Sequence, residues 1–327
     1  MPEYGMANPG AQILLADIGA TNARFALLSS SRDIGPVRTL AVADYPQFID
    51  AVAAFLADEG ASPGGAVLAV AGPIEGERAV MTNCPWIIDA AELRRLLGVS
   101  AVRVINDFEA TAWSLSALEP GHVVAVGAGR AVAGAPMVVL GPGTGLGLAS
   151  HVPRADAPVV IATEGGHVTL AVTTAREDAV IAWLRGRFGH VSAERALSGP
   201  GLENLYRAIA AVDGAAVAAR DATAITQAGV AGTCAVSRAA LDMFCAMLGT
   251  FAGNAALSFG AHGGVFIAGG IVPRIIDYLL KSEFRVRFDA KGRLHDYMQR
   301  IPLNVIVHPD YAFIGLKALI ERLDKQP

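Results

Sequence analysis

Five short segments of this chain join glycine to a polar group at the end of an apolar run, where ligand sites of α/β proteins gather. They are Asp17 to Asn22, Asn106-Asp107, Gly141 to Gly145, Glu164 to His167, and Gly269-Gly270. In the first and third, glycine lets the backbone approach an anion and aim successive N–H groups at it, and Thr21 or Thr144 adds a hydroxyl. Two phosphate-holding turns and two ordinary hairpin turns are the competing readings; their matched placement, about 124 residues apart, favours the first. A dinucleotide site does not fit Gly141 to Gly147, because no G-x-G-x-x-G can be laid on it and a strand follows.

Asp17 ends an apolar strand, where a carboxylate needs a partner such as a hydrated Mg2+ or the N–H groups of its own turn. Asn106-Asp107 falls at a strand-to-helix junction, so it reads either as a helix cap or as a reactive pair, and neighbouring residues can fill both roles. Glu164 and His167 flank two glycines, a set of donors and acceptors suited to the vicinal hydroxyls of a sugar; a metal site would need further ligands at recognisable spacing. Glu194 reads as the start of a helix, followed by Arg195 and Ser198-Gly199-Pro200-Gly201, and serves there either as a first-turn acid or as a site residue.

The elements that must carry these groups follow from the pattern along the chain. Gln12 to Asp17 and Ala23 to Ser29 predict a hairpin, Val37 to Ala43 a third strand, Pro46 to Asp58 an amphipathic helix, and Ala66 to Val70 a buried strand. Asp89 caps a helix over Ala90 to Leu97, Ala101 to Ile105 is a strand, and a helix runs from Asn106-Asp107 towards Leu118. A second hairpin follows at Met137 to Leu140 and Leu146 to Ser150, with strand material at Val159 to Ala162. From Ala175 the chain is mostly helical, at 175 to 188, 194 to 210 and 237 to 259, with strands at Val265 to Ala268 and Pro302 to Val307 and a last helix at Ala312 to Leu323. The returning hairpin predicts a duplicated fold of two lobes, each presenting one glycine-bearing turn to a shared central cleft. A small α/β lobe spans 1–112 and is completed by the C-terminal helix 311–327, which crosses back to it; the large α/β lobe spans 113–310.

Composition removes several classes of function. A chain of 327 residues can bury roughly 75% of its unfolded surface, so neither disulfide nor metal is needed for stability. The net charge of -4 and a pI near 6.0, without runs of like charge, predict no nucleic-acid or membrane partner. Cys84, Cys234 and Cys245 form no C-x-x-C pair and fit a reducing cytosol. Met1 to Gly10 lacks the basic and apolar regions of a signal peptide, and prolines and glycines interrupt the apolar stretch around Ala131 to Ser150, so the expected location is cytoplasmic. Lysine occurs only at 281, 291, 317 and 325, which excludes both a P-loop and the strand lysine of protein kinases.

The ordered set Ala16 to Arg24, Ile105 to Phe108, Gly143-Thr144-Gly145-Leu146-Gly147, Glu164-Gly165-Gly166-His167, Glu194 to Gly201 and Ile267 to Ile271 closely resembles the bacterial glucokinase family over residues 12 to about 315. The resemblance implies a two-lobed, duplicated ribonuclease H-like fold of the actin/hexokinase ATPase type, and ATP-dependent phosphorylation of glucose at its 6-hydroxyl. Asp107 becomes the general base, with Asn106, Glu164, His167 and Glu194 around the sugar and Asn83 beside the pocket. Asp17, Gly19, Ala20, Thr21 and Asn22, with Gly143, Thr144 and Gly145, become the phosphate cradles, and Gly269-Gly270 the contact on the adenosine side. The cofactors implied are ATP and Mg2+, with no direct protein ligand to the metal and Asp17 reaching it through water.

The first turn usually holds consecutive glycines in this family, whereas this chain has Gly19-Ala20, and a methyl fits there only where φ stays negative. The related repressor and kinase group carries a cysteine-rich zinc segment, and no cysteine lies between Cys84 and Cys234. The alternatives are a sugar-sensing regulator without catalysis, an actin-like nucleotide switch, and a kinase for another hexose, since mannose and glucosamine differ from glucose at one carbon. About ten residues before the first strand are too few for a DNA-reading domain. A homodimer is expected from the apolar helices of the large lobe, and closure on the sugar is expected to exclude water.

Overall fold

The computed structural model describes residues 11–81 and 84–325, and the chain divides into two compact units. The first runs to Glu119 and takes in the chain from His308 onward; the second is Pro120–Val307. Local bonds account for those boundaries. Ala117 N–H still reaches Ser114 O beyond the preceding helix, whereas Val307 N–H bonds His122 O and Asp310 N–H donates to His308 Nδ1.

In the first unit β1 (Ile13–Ile18), β2 (Asn22–Leu28) and β3 (Arg38–Ala41) pair antiparallel in succession. Helix α1 (Phe48–Glu59) returns the chain to β4 (Gly65–Val70), parallel to β1. Gln47 and Asp50 form a reciprocal capping box at the start of α1, and Gly60 closes its end in the left-handed region. A small sheet of β5 (Ile74–Glu75), β6 (Arg78–Val80) and β7 (Ile87–Asp89) comes next. The Asp89 carboxylate then accepts two N–H groups at the start of α2 (Ala90–Leu97), as its position predicts. Strand β8 (Val102–Asn106) adds parallel to β4, and α3 (Asp107–Ser114) opens directly from it. The sheet order is β3-β2-β1-β4-β8. Phe25, Phe48, Phe55 and Trp86 lie in the core on its α1 side.

The second unit repeats that succession of pairings. After β9 (Val123–Ala125), strands β10 (Met137–Pro142), β11 (Leu146–Val152) and β12 (Val159–Thr163) are antiparallel neighbours. Helices α4 (Ala175–Phe188), α5 (Gly199–Val212), α6 (Ala222–Ala231) and α7 (Ala235–Phe259) precede β13 (Gly264–Ile267), which is parallel to β10. Three short helices, α8 (Ile276–Leu279), α9 (Phe284–Asp289) and α10 (His295–Gln299), lead to β14 (Leu303–Ile306), parallel to β13. The order is β12-β11-β10-β13-β14-β9. Helix α7 is long and apolar enough to cross a membrane by length and composition, but 83% of its apolar window is buried in this core.

The chain's last helix, α11 (Tyr311–Leu323), packs on α3 in the first unit so closely that a Cβ at Gly315 would collide with Ala110 O. Three expectations about elements change. The helix beginning at Asp107 ends at Ser114, and β3 stops at Ala41, where a 3-10 turn over Val42–Asp44 begins. Glu194 lies in a turn, because the helix expected from 194 starts at Gly199: Pro200 has no N–H to give and suits a first turn, and the Ser198 hydroxyl accepts Gly201 N–H at 3.0 Å as its cap. Helix α6, β9 and the β5–β7 sheet were not among the expected elements; short strands containing Glu75, Arg78 and Asp89 show no apolar run to betray them.

Candidate active site

Each unit brings one glycine-bearing turn to the end of its first hairpin. In the first unit Gly19 N–H closes the turn on Asn22 O at 3.0 Å, and Val42 N–H donates to Thr21 O at 2.9 Å. Among the described residues, the N–H groups of Ala20 and Thr21 and the Thr21 hydroxyl have no partner. Ala20 keeps its backbone out of the left-handed region, so its methyl is accommodated without strain. The Asn22 side chain is exposed.

Asp17 is held by the neighbouring strand and not by its turn. Arg24, directly opposite in register, donates to Asp17 Oδ2 from Nε at 3.0 Å and also from Nη2. Arg24 Nη1 reaches Pro309 O at 3.0 Å and Asp310 Oδ1 at 3.2 Å, and the guanidinium lies over Phe313. Burial by itself lowers the pKa of Arg24, and the Asp17 and Asp310 carboxylates outweigh it and raise the pKa. Asp17 Oδ1 makes no hydrogen bond among the described residues and is free to hold a water of a hydrated cation.

Asn106 does what its junction position suggests: its Oδ1 accepts Phe108 N–H at 2.9 Å and caps α3. Its Nδ2 donates to Gly72 O at 3.1 Å, which fixes the side chain between β8 and the turn after β4. Asp107, first residue of α3, is half-buried, and its Oδ1 also accepts Phe108 N–H, at 2.8 Å. The carboxylate therefore stands at a helix N-terminus, where the backbone dipole favours its ionised form. Two residues along, burial raises the Glu109 carboxyl above its ordinary value while Arg103 pulls the other way. Asn83 lies outside the described residues.

In the second unit Gly143 N–H closes on Gly145 O at 2.8 Å, leaving the N–H groups of Thr144 and Gly145 and the Thr144 hydroxyl without partners among the described residues. Where Gly143 would carry a side chain there is open space, room that a phosphate could use. Glu164 and His167 are both exposed, with Glu164 Oε2 3.7 Å from His167 Nε2. The glycines between them are needed for packing, since a Cβ at Gly166 would strike Leu146 O. Glu194 joins this group, for its N–H donates to Gly166 O at 2.9 Å. Gly269 has φ +86 and presses against Pro142 at the end of β10, whereas the exposed Gly270 faces open space.

The sequence-predicted residues thus fall into two sets. Asp17 to Asn22 stand at the end of β1 and Asn106-Asp107 at the end of β8, on either side of β4 in the first sheet; Gly143 to Gly145, Glu164, His167, Glu194 and Gly269-Gly270 gather around β10, β11 and β13. Arg24 was not singled out as a site residue from the sequence, whereas the resemblance implied that Ala71-Gly72-Pro73 lies by the sugar pocket. Counting outward from the turn Gly19 to Asn22 puts Arg24 opposite Asp17, so Arg24 was accessible to that arithmetic. Among the described residues no three His, Cys, Asp or Glu side chains gather as a metal site. Each turn by itself offers unpaired donors that suit a phosphate group, and in the first unit the free Asp17 oxygen suits a water of a hydrated cation.

A protein-family model described as Glucokinase matches residues 14–323. The chain is 48% identical over 312 residues to a glucokinase of Paramagnetospirillum magneticum (strain ATCC 700264 / AMB-1), covering 94% of this chain and 97% of that one. Its structure is similar to the crystal structure of a glucokinase from an Antarctic psychrotroph, with a TM-score of 0.86, 37% identity, and coverage of 95% of this chain and 99% of that chain. A ROK family glucokinase from Streptomyces griseus, solved with glucose and AMPPNP, shares the fold at a TM-score of 0.62 and 18% identity, over 94% of this chain and 98% of that chain. With both turns, the Asn-Asp junction and the Glu-Gly-Gly-His segment lying inside that matched span, the chain belongs to the glucokinase family.

Proposed function

We infer that the chain is a glucokinase, transferring the γ-phosphoryl group of ATP to the 6-hydroxyl of glucose to give glucose 6-phosphate and ADP. The observation that carries this reading is the matched pair of turns, each closed on itself by one N–H and each leaving two N–H groups and a threonine hydroxyl unpaired. The repeated succession of strand pairings supports a duplicated ribonuclease H-like fold of the actin and hexokinase type.

Phosphoryl transfer needs in-line positioning, a base for the hydroxyl proton and donors on the transferring oxygens. Asp107 is the base, accepting the proton of the 6-hydroxyl on its carboxylate at the start of α3. Asn106, anchored on Gly72 O, sets the backbone from which that carboxylate projects. The unpaired N–H groups of the two turns stabilise the phosphate oxygens in place of lysine. Mg2+, when bound, supplies the remaining charge neutralisation, and Asp17 through Oδ1 is the residue that would hold its water. Glu164, His167 and Glu194 bond the other sugar hydroxyls, with Asn83 beside them, and a sugar lacking one hydroxyl strands a polar group.

The test is sugar-dependent ADP release from Mg·ATP with glucose, mannose, fructose and N-acetylglucosamine, in the native protein and in Asp107→Ala. Turnover with glucose that falls roughly 10²-fold or more in the variant is expected. Native protein with no sugar-dependent turnover would overturn the reading and leave a sugar sensor in its place.

A further inference from the structure

Glu194 does more than face a sugar. Its backbone is pinned on both sides, by its own N–H on Gly166 O at 2.9 Å and by the Ser198 hydroxyl on its carbonyl at 2.8 Å. From that fixed point its Oε2 accepts Leu146 N–H at 2.9 Å and sits directly under Gly145, where a Cβ would come within 2.6 Å of it. Gly199 N–H, five residues on, donates to Gly143 O at 2.8 Å. One segment, 194–199, therefore grips the glycine turn at both its ends.

The grip sorts the donors of the turn. Gly143 N–H is spent on Gly145 O and Leu146 N–H on Glu194, so Thr144 and Gly145 alone present N–H groups outward. A carboxylate accepting a backbone N–H makes one of the stronger hydrogen bonds available, roughly twice a neutral one. Removing it leaves Leu146 N–H an orphan at the base of the turn and frees Gly145 to rotate. Glu194 Oε1 makes no hydrogen bond among the described residues, so holding the turn does not consume the oxygen needed for a sugar hydroxyl.

We propose that Glu194 is a positioning residue for the phosphate turn, setting the directions of the Thr144 and Gly145 N–H groups through Leu146 whether or not sugar is bound. This rests on reading that turn as a phosphate cradle. It makes the sugar contact and the nucleotide contact share one carboxylate.

The experiment measures binding of a non-hydrolysable ATP analogue with Mg2+ by calorimetry in the absence of any sugar, and binding of glucose in the absence of nucleotide. Native protein, Glu194→Ala, Glu194→Gln and Gly145→Ala are compared. Glu194→Ala should weaken the nucleotide about fivefold or more, and Glu194→Gln, whose amide oxygen accepts the same N–H, should stay within about twofold of native. Gly145→Ala, which displaces an intact carboxylate, should weaken the nucleotide as Glu194→Ala does. Unchanged nucleotide affinity in both alanine variants, with glucose binding lost in Glu194→Ala, would make Glu194 a sugar contact only and overturn the positioning role.

Amide exchange in the native protein gives an answer even where a variant fails to fold. Leu146 N–H should exchange at least about tenfold more slowly than those of Thr144 and Gly145, and equal rates would overturn the proposal. Native protein that protects Leu146 yet binds no nucleotide would instead remove the phosphate reading itself, and the positioning role with it.

Discussion

Asp17 and Arg24 stand opposite each other across the first hairpin, and the guanidinium donates to one carboxylate oxygen from two nitrogens, leaving the other oxygen open. The same guanidinium holds Pro309 O and Asp310, so the strand leading into the first turn is tied to the start of α11. Arg24→Ala should lower unfolding stability by roughly 1–3 kcal/mol, read by urea denaturation, because a charge-assisted fork is lost and Asp17 is left half-buried without its partner. Arg24→Lys should recover only part of this, since an ammonium cannot reproduce the planar fork. Full recovery by lysine would show that charge alone matters.

Gly269 and Gly270 are adjacent, but the structure gives them different tasks. Gly269→Ala forces an L side chain to φ +86 and drives its methyl into Pro142 O, so it should destabilise by about 1–3 kcal/mol or more. Gly270→Ala should melt like the native protein and weaken nucleotide binding instead. Thermal melting beside nucleotide titration separates the two effects.

Gly315→Ala tests whether the last helix sets the base. Its Cβ would collide with Ala110 O on α3, whose first residue is Asp107. A backbone has nowhere to give, and overpacking of this kind costs about 1–3 kcal/mol or more. Where the variant still folds, kcat should fall more than glucose affinity, because the helix bearing the carboxylate is displaced.

Acid sensitivity should trace to Glu177 and Arg287. Burial by itself raises the Glu177 carboxyl, but hydrogen bonds from Arg287 and Thr173 hold it below its ordinary value of 4.5. A carboxyl depressed in the folded state contributes stability above its unfolded pKa and loses it as pH falls through the folded one. Urea midpoints of native protein should therefore drop steeply below pH 4.5, and Glu177→Gln should flatten that limb. At neutral pH the same variant should be less stable by roughly 3–5 kcal/mol, because Arg287 is left buried with its charge uncompensated.

How much of this was legible follows from the range of the interactions. Both hairpins, the Asp89 cap, the buried strand before Gly72 and the Asn106 junction were readable, because strand alternation, apolar runs and caps are encoded within a few residues. The pairing of Arg24 with Asp17 was within reach, since the turn between them fixes the register by counting. The β5–β7 sheet was not, for its strands are two or three residues long and place only isolated side chains such as Ala79 and Ile88 in the core.

By itself the sequence determined the chemistry available and the order in which it arrives: two glycine-bearing turns without lysine, an Asn-Asp junction, and a Glu-Gly-Gly-His segment. Which groups meet was decided by tertiary structure. Glu194 reads along the chain as the acid of a helix's first turn, and it became the anchor of Leu146, 48 residues away, only because Pro200 delays the helix and Gly166 packs against β11. Gly269 and Gly270 look alike in sequence and differ in space because one faces Pro142 and the other faces nothing. Local propensity specifies how each segment runs, but a hydrogen bond between distant segments forms only where packing of the whole unit brings donor and acceptor to bonding distance.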